Sequence, residues 1–155
     1  MCLYITHFKP KVAARNIKVY KAFMLTFPEE LEDSKVLSGV IRNYYIPTNH
    51  LMDDTDNYAH IEHADWLINL SGEAFGPFIE GGVIHCYTST SNVKLHYDVV
   101  MEAFIPEGTL YWEGLNGEVG AKKVFVTDQC VLVGTGNSKR LETYNDYVNQ
   151  GFIKQ

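Results

Sequence analysis

The sequence predicts an α+β fold, a mostly antiparallel sheet with two or three helices, in one domain spanning residues 1–155. Three observations predict it. Short runs of β-branched and aromatic residues recur along the chain, each closed by proline or glycine. The strongest run, Val99 to Ile105, is followed by the corner Pro106-Glu107-Gly108 and the partner strand Leu110-Tyr111-Trp112. Helical spacing appears beside the strands, as in the last segment, where Leu141, Tyr144 and Val148 follow a capping Ser138.

The elements follow in chain order. Cys2 to His7 alternates weakly as a short strand, broken by Lys9-Pro10-Lys11. Asn16 to Met24 is a strand, with Ile17 and Val19 opposed to Tyr20 and Ala22 across the pleat. Phe27 to Ser34 is an acidic connection with one helical turn begun at Pro28. Val40 to Ile46 is a strand stopped by Pro47, and Asn49 to Asp56 reads as a solvated acidic loop.

Ala59 to Leu70 follows a helical face, with Ile61 and Ala64, then Trp66 and Leu70, at helical spacing. Gly72, Gly76 and Pro77 end it. Val83 to Thr88 is a strand, and Ser89, Thr90 and Ser91 cap a short helix running through His96. Val119 to Thr127 and Cys130 to Gly134 are the last strands. The terminal helix stops at Gly151.

Composition narrows the function. A chain of 155 residues with 46% hydrophobic and 21% charged residues builds its core without a metal or disulfide staple. The net charge is −6, and arginine occurs only as Arg15, Arg42 and Arg140. No basic stripe exists to neutralise phosphates, so nucleic acid is excluded as a partner. Cys2, Cys86 and Cys130 form no CxxC spacing, which argues against a disulfide framework or a thiolate zinc site. No signal peptide or apolar run of membrane-spanning length is present, so the expected setting is cytoplasmic with no membrane partner. A small-molecule ligand or a protein partner remains.

Several constellations bear on chemistry. Gly134-Thr135-Gly136-Asn137-Ser138-Lys139 fits neither phosphate-loop template and reads as a turn with a helix cap. His60 and His63 stand three apart near Asp65, His50, Asp53 and Asp54, but lack the spacing of the zinc-protease motif. Exposed polar residues on an amphipathic helix explain them, and no metal is expected. Cys2 reads as a small apolar strand residue rather than an N-terminal nucleophile.

The ligand-binding candidates are Arg42, Tyr44, His85, Tyr87, Ser89 and Ser91. A strand ending in Ser-Thr-Ser can offer hydroxyls and turn amides to a phosphate or ribose, although serines also cap turns. Arg42, among Asn43, Tyr44 and Tyr45, can clamp an anion or pair with a carboxylate.

Met1-Cys2-Leu3, the strand Ile17 to Lys21, the strand Ile84 to Tyr87 and the corner Ile105 to Tyr111 together resemble small uncharacterised proteins of bacteria and their phages. That resemblance implies an intracellular setting on the phage side of a host–phage contest, as in counter-defence, and brings no activity. A fainter resemblance is to ADP-ribosyltransferases of the arginine–serine–glutamate class, through Ser89-Thr90-Ser91 and Ile105 to Thr109. It implies NAD as cofactor and Glu118 as the catalytic candidate. Lys21 stands where that class has arginine, and Glu118-Val119-Gly120 lacks the second glutamate. The expected function is therefore a non-enzymatic module for a nucleotide-type small molecule or a protein. An NAD-using ADP-ribosyltransferase-like enzyme is the alternative.

Overall fold

The computed structural model describes residues 3–25, 36–40, 44–62, 67–68, 74–75, 77–134 and 138–155. Cys2, Arg42, His63, Asp65, the turn begun at Pro28 and the Thr135-Gly136-Asn137 loop lie outside them.

Fifteen strands and one α-helix appear among the described residues, and every ladder is antiparallel. In chain order they begin with β1 (Leu3–Tyr4), β2 (Lys11–Val12), β3 (Ile17–Met24), β4 (Leu37–Gly39) and β5 (Tyr45–Ile46). β6 (His50–Asp53), β7 (Ile61–Glu62), β8 (Leu67–Ile68), β9 (Ala74–Phe75) and β10 (Phe78–Ile79) follow. The remainder are β11 (Ile84–Tyr87), β12 (Val99–Ile105), β13 (Leu110–Glu113), β14 (Glu118–Ala121), β15 (Lys123–Val133) and α1 (Ser138–Asn149).

The ten-stranded sheet runs β2-β13-β14-β11-β3-β12-β15-β6, with β4 on β3 and β5 on β4. β14 and β15 are separated in this order by β11, β3 and β12, yet only Lys122 joins them in the chain. One bent strand therefore belongs to both ends of a four-ladder circuit, so the sheet curls into a barrel. Backbone bonds fix the corner: the Lys122 amide donates to Leu110 O at 3.0 Å, and the Asp54 amide donates to Lys122 O at 2.8 Å. β15 bends again where its register with β12 slips on either side of Met101. There Thr127 Oγ1 donates to Glu102 O and accepts from the Gln129 amide.

The barrel interior follows from the period of two. Ile17, Val19 and Phe23 on β3 stand opposite Ile105, Ala103 and Val99 on β12, and all belong to one core cluster. Ile84 and Cys86 face Ala121 and Val119 in the same layer. α1 adds Tyr144 and the fully buried Tyr147, whose ring meets Phe152 edge-on at 5.1 Å. The helix ends in a Schellman arrangement: Gly151, at φ 74°, donates to Val148 O, and Phe152 donates to Tyr147 O. A second, smaller cluster of Leu3, Ile5, Ile79, Val83 and Trp112 packs beside the barrel.

The two or three helices of the predicted α+β fold are not found: among the described residues the fold is mostly antiparallel sheet with one α-helix and two 3-10 turns. The segment 59–70 holds β7 and β8 instead, and Ile61 pairs with Ile79. Its helical spacing is a coincidence of a short apolar run, and tertiary pairing overrides it. Ser89 does cap a turn, but that turn is a 3-10 stretch of Thr90–Asn92 closed by Val93, not a helix to His96. The supposed acidic loop 49–56 contains β6, and the run 40–46 keeps only β5 as strand among its described residues. The two predicted strands 119–127 and 130–134 are redivided at Lys122 into β14 and β15. The strands at Ile17–Met24, Ile84–Tyr87, Val99–Ile105 and Leu110–Glu113, and the terminal helix, are found where the sequence places them.

Candidate functional site

β3 changes partners along one edge. Tyr20 pairs with Tyr87 of β11, whereas Phe23 and Met24 pair with Gly39 and Ser38 of β4. Between them, at Lys21 and Ala22, β11 and β4 diverge and the edge carries no ladder pair among the described residues. A cavity of about 490 Å³ opens at this fork. Because the sheet curls, β6 from its far end reaches the same space: His50 to Asp54 line one side, and Val83, Ile84, His85 and Tyr87 the other.

Lys21 is the cation of this cavity. It shares the inward face of β3 with Val19 and Phe23, opposite Met101. Its Nζ donates to the carbonyl of His85 at 2.7 Å, filling in for the interrupted ladder. The ammonium lies 5.8 Å from the centroid of Phe23 and 5.9 Å from that of Tyr44. Those two rings meet edge-on at 6.4 Å. No carboxylate of the described residues lies within ion-pair distance of Lys21.

Burial shapes the neighbouring titrations. It pushes the Cys86 thiol up to about 11, a shift that the charge of Lys21 partly opposes. It also raises Tyr87, with the Glu118 carboxylate adding in the same direction, and it raises Glu118 itself. Asp53, on the rim, is held below the usual carboxylate range because its oxygen accepts from the Thr55 hydroxyl and amide.

Of the residues singled out by sequence, Tyr44, His85 and Tyr87 line the cavity. Ser89 and Ser91 do not. Ser89 Oγ accepts from the Ser91 amide at 3.3 Å and lies 2.9 Å from its hydroxyl, so both serve the 3-10 turn. Glu118 sits across the ladder from Tyr87 and does not line the cavity. Tyr87 and Glu118 share a face with Tyr20, so Glu118 and Lys21 leave the sheet on opposite sides. Sequence reasoning missed Lys21 as a cavity residue, and missed Ile46 and Met52 as apolar walls. The signal was there in the alternation: a lysine at the same parity as Val19 and Phe23 belongs to the inside.

Among the described residues, one group could hold a cation. Glu80 continues the β7–β10 ladder opposite His60, with Glu62 two residues along the same face, and their ligand atoms lie within 4.8 Å of one another. His60 Nε2 and Glu62 Oε1 are already 2.7 Å apart, with both side chains about half exposed. None of the three is buried, and none lines the fork. No helix among the described residues is long and apolar enough to cross a membrane.

Comparison with protein-family models, with curated proteins and with solved structures finds no match.

Proposed function

We propose that this chain is a non-enzymatic binding module that takes a small molecule into the fork between β11 and β4. The observation that carries this reading is the cavity itself. Its volume falls within the range of small-molecule sites, roughly 300–1,000 Å³, and apolar side chains such as Ile46, Met52, Val83 and Ile84 share its lining with polar and charged ones. Tyr44 supplies ring surface, Lys21 supplies charge, and His85 and Tyr87 line the space along the β11 edge. A nucleotide-type ligand can use the same elements, with its base against a ring and one phosphate at the ammonium.

The alternative, an NAD-using ADP-ribosyltransferase-like enzyme, draws less support. It needs Glu118 and the serines to converge with the cation, and these groups lie on different faces or in the capped turn.

Thermal unfolding tests the binding reading. A panel of mononucleotides, cyclic nucleotides, NAD and small organic acids and amides is added to the full chain. A ligand at 100 times its Kd stabilises by about 2.7 kcal/mol, a rise of roughly 5–10 °C for a chain of this size. That rise should disappear in Met52→Trp, where the indole fills the cavity. A panel without any shift, or a shift that survives the plugging substitution, removes the reading.

A further inference from the structure

We infer that the ligand of this cavity is a singly charged organic acid with an apolar or aromatic body, its carboxylate received by Lys21. The inference rests on reading the fork as a binding site and adds the chemistry of what it takes.

Charge sets the first limit. Among the described residues lining the cavity, Lys21 is the one lysine, and no arginine joins it. An ammonium has three N–H donors, and here one is engaged by His85 O, which leaves two. Two donors suit the two oxygens of one carboxylate. They leave a polyphosphate largely unneutralised. The rim carries Asp53 and Asp54, and a net charge of −6 surrounds the whole, so each further negative charge on a ligand is repelled.

Shape and polarity set the second limit. Behind the ammonium stand Tyr44, Ile46, Met52 and Ile84, an apolar lining suited to a hydrocarbon or a ring. The rings of Phe23 and Tyr44 flank the Lys21 ammonium and fix its position without neutralising it. A cation placed against apolar walls, with no carboxylate of the described residues at ion-pair distance, favours an amphipathic anion over a sugar or a neutral hydrocarbon. A buried or half-buried charge–charge contact of this kind is stronger than the same contact in water.

The probes are phenylacetate, 4-phenylbutyrate and octanoate, each matched with its neutral amide, and AMP and ATP as phosphates. Binding is followed by calorimetry and by amide NMR shifts on the full chain. The acids are expected to bind at least tenfold more tightly than their amides and more tightly than ATP. NMR shifts should centre on Lys21, Tyr44 and His85. In Lys21→Met, which keeps the buried stem, the preference for acid over amide should vanish while the amide affinity stays within about twofold.

If amides bind as well as acids, or if the preference survives in Lys21→Met, the inference falls and the cavity reading stands. The same holds if ATP is the tightest probe. If none of these probes moves the cavity resonances, both fall.

Discussion

Replacing Lys122 by methionine removes the ammonium at the corner where the barrel closes and leaves the aliphatic stem in place. Lys122 Nζ donates to the carbonyls of Gly82 and Asn57, and at 3.4 Å to that of Asp54. The lysine thus ties the β14–β15 corner to the loops before β11 and after β6, both of which supply cavity walls. Bonds from a charged donor contribute about 1.5–3 kcal/mol each, but burial opposes the charge here and holds the Lys122 pKa below its ordinary value. Two short bonds at the lower end of that range, less this penalty, give a loss of about 2–3 kcal/mol for Lys122→Met. At roughly 2–4 °C per kcal/mol, Tm should fall by about 5–10 °C. Urea unfolding should show a lower midpoint with an unchanged slope, since the buried surface of the fold is retained. The acceptors are neutral carbonyls, so 0.5 M NaCl should leave most of the difference intact. A loss below about 0.5 kcal/mol, or one that salt abolishes, would refute the idea that this lysine clamps the closure.

Two further outcomes follow from the titrations. Glu118→Gln should stabilise the protein at pH 7, because burial raises the Glu118 pKa above its ordinary 4.5 and disfavours the ionised form. The sign follows from linkage: Glu118 contributes most below pH 4.5 and loses that contribution as pH rises through its raised folded value. The gain in Tm should therefore grow from acid to neutral pH, and a difference that is constant or reversed would count against it. Cys86, pushed to about 11, and Cys130, also raised by burial, should resist iodoacetamide at pH 8 in the native protein and react fully in urea. Peptide mapping that finds Cys86 alkylated as fast in buffer as in urea would show an open interior.

How far the sequence reveals this protein depends on whether a feature is local. Ile17 to Met24 and Val99 to Ile105 are legible because each is long enough to show alternation and ends at its own breaker. The terminal helix is legible through the spacing of Leu141, Tyr144 and Val148 and through Gly151, whose φ of 74° is the signature of the stop. β7 and β8 hold two residues each, too few to display a period, so in the sequence the helical spacing of Ile61 and Ala64 is the stronger signal. The closure at Lys122 is not local. Nothing in Gly120-Ala121-Lys122-Lys123 announces that its two flanks pair with opposite ends of one sheet. The site divides the same way: Tyr44, just before β5, and His85 and Tyr87 on β11 stand out as polar groups in apolar runs. His50 to Asp53 looks like loop until the curl of the sheet brings β6 across.

Lys18 and Lys21 show what parity decides. Both lie on β3, three residues apart, and so point to opposite faces. Lys18 is exposed and pairs with Glu102 at 3.6 Å, whereas Lys21 enters the barrel and binds a carbonyl. The same event creates the hole and its cation. β11 meets β3 only at Tyr87, so the stretch before it opens space and leaves the His85 carbonyl beside Lys21 rather than beside a ladder amide. A lysine there has a structural duty whatever else it does, since a buried carbonyl without a donor costs about 1–3 kcal/mol. Loss of stability in Lys21→Met therefore says nothing about ligand. The preference for acid over amide does, because a lysine that only bridges the fork has no reason to distinguish them.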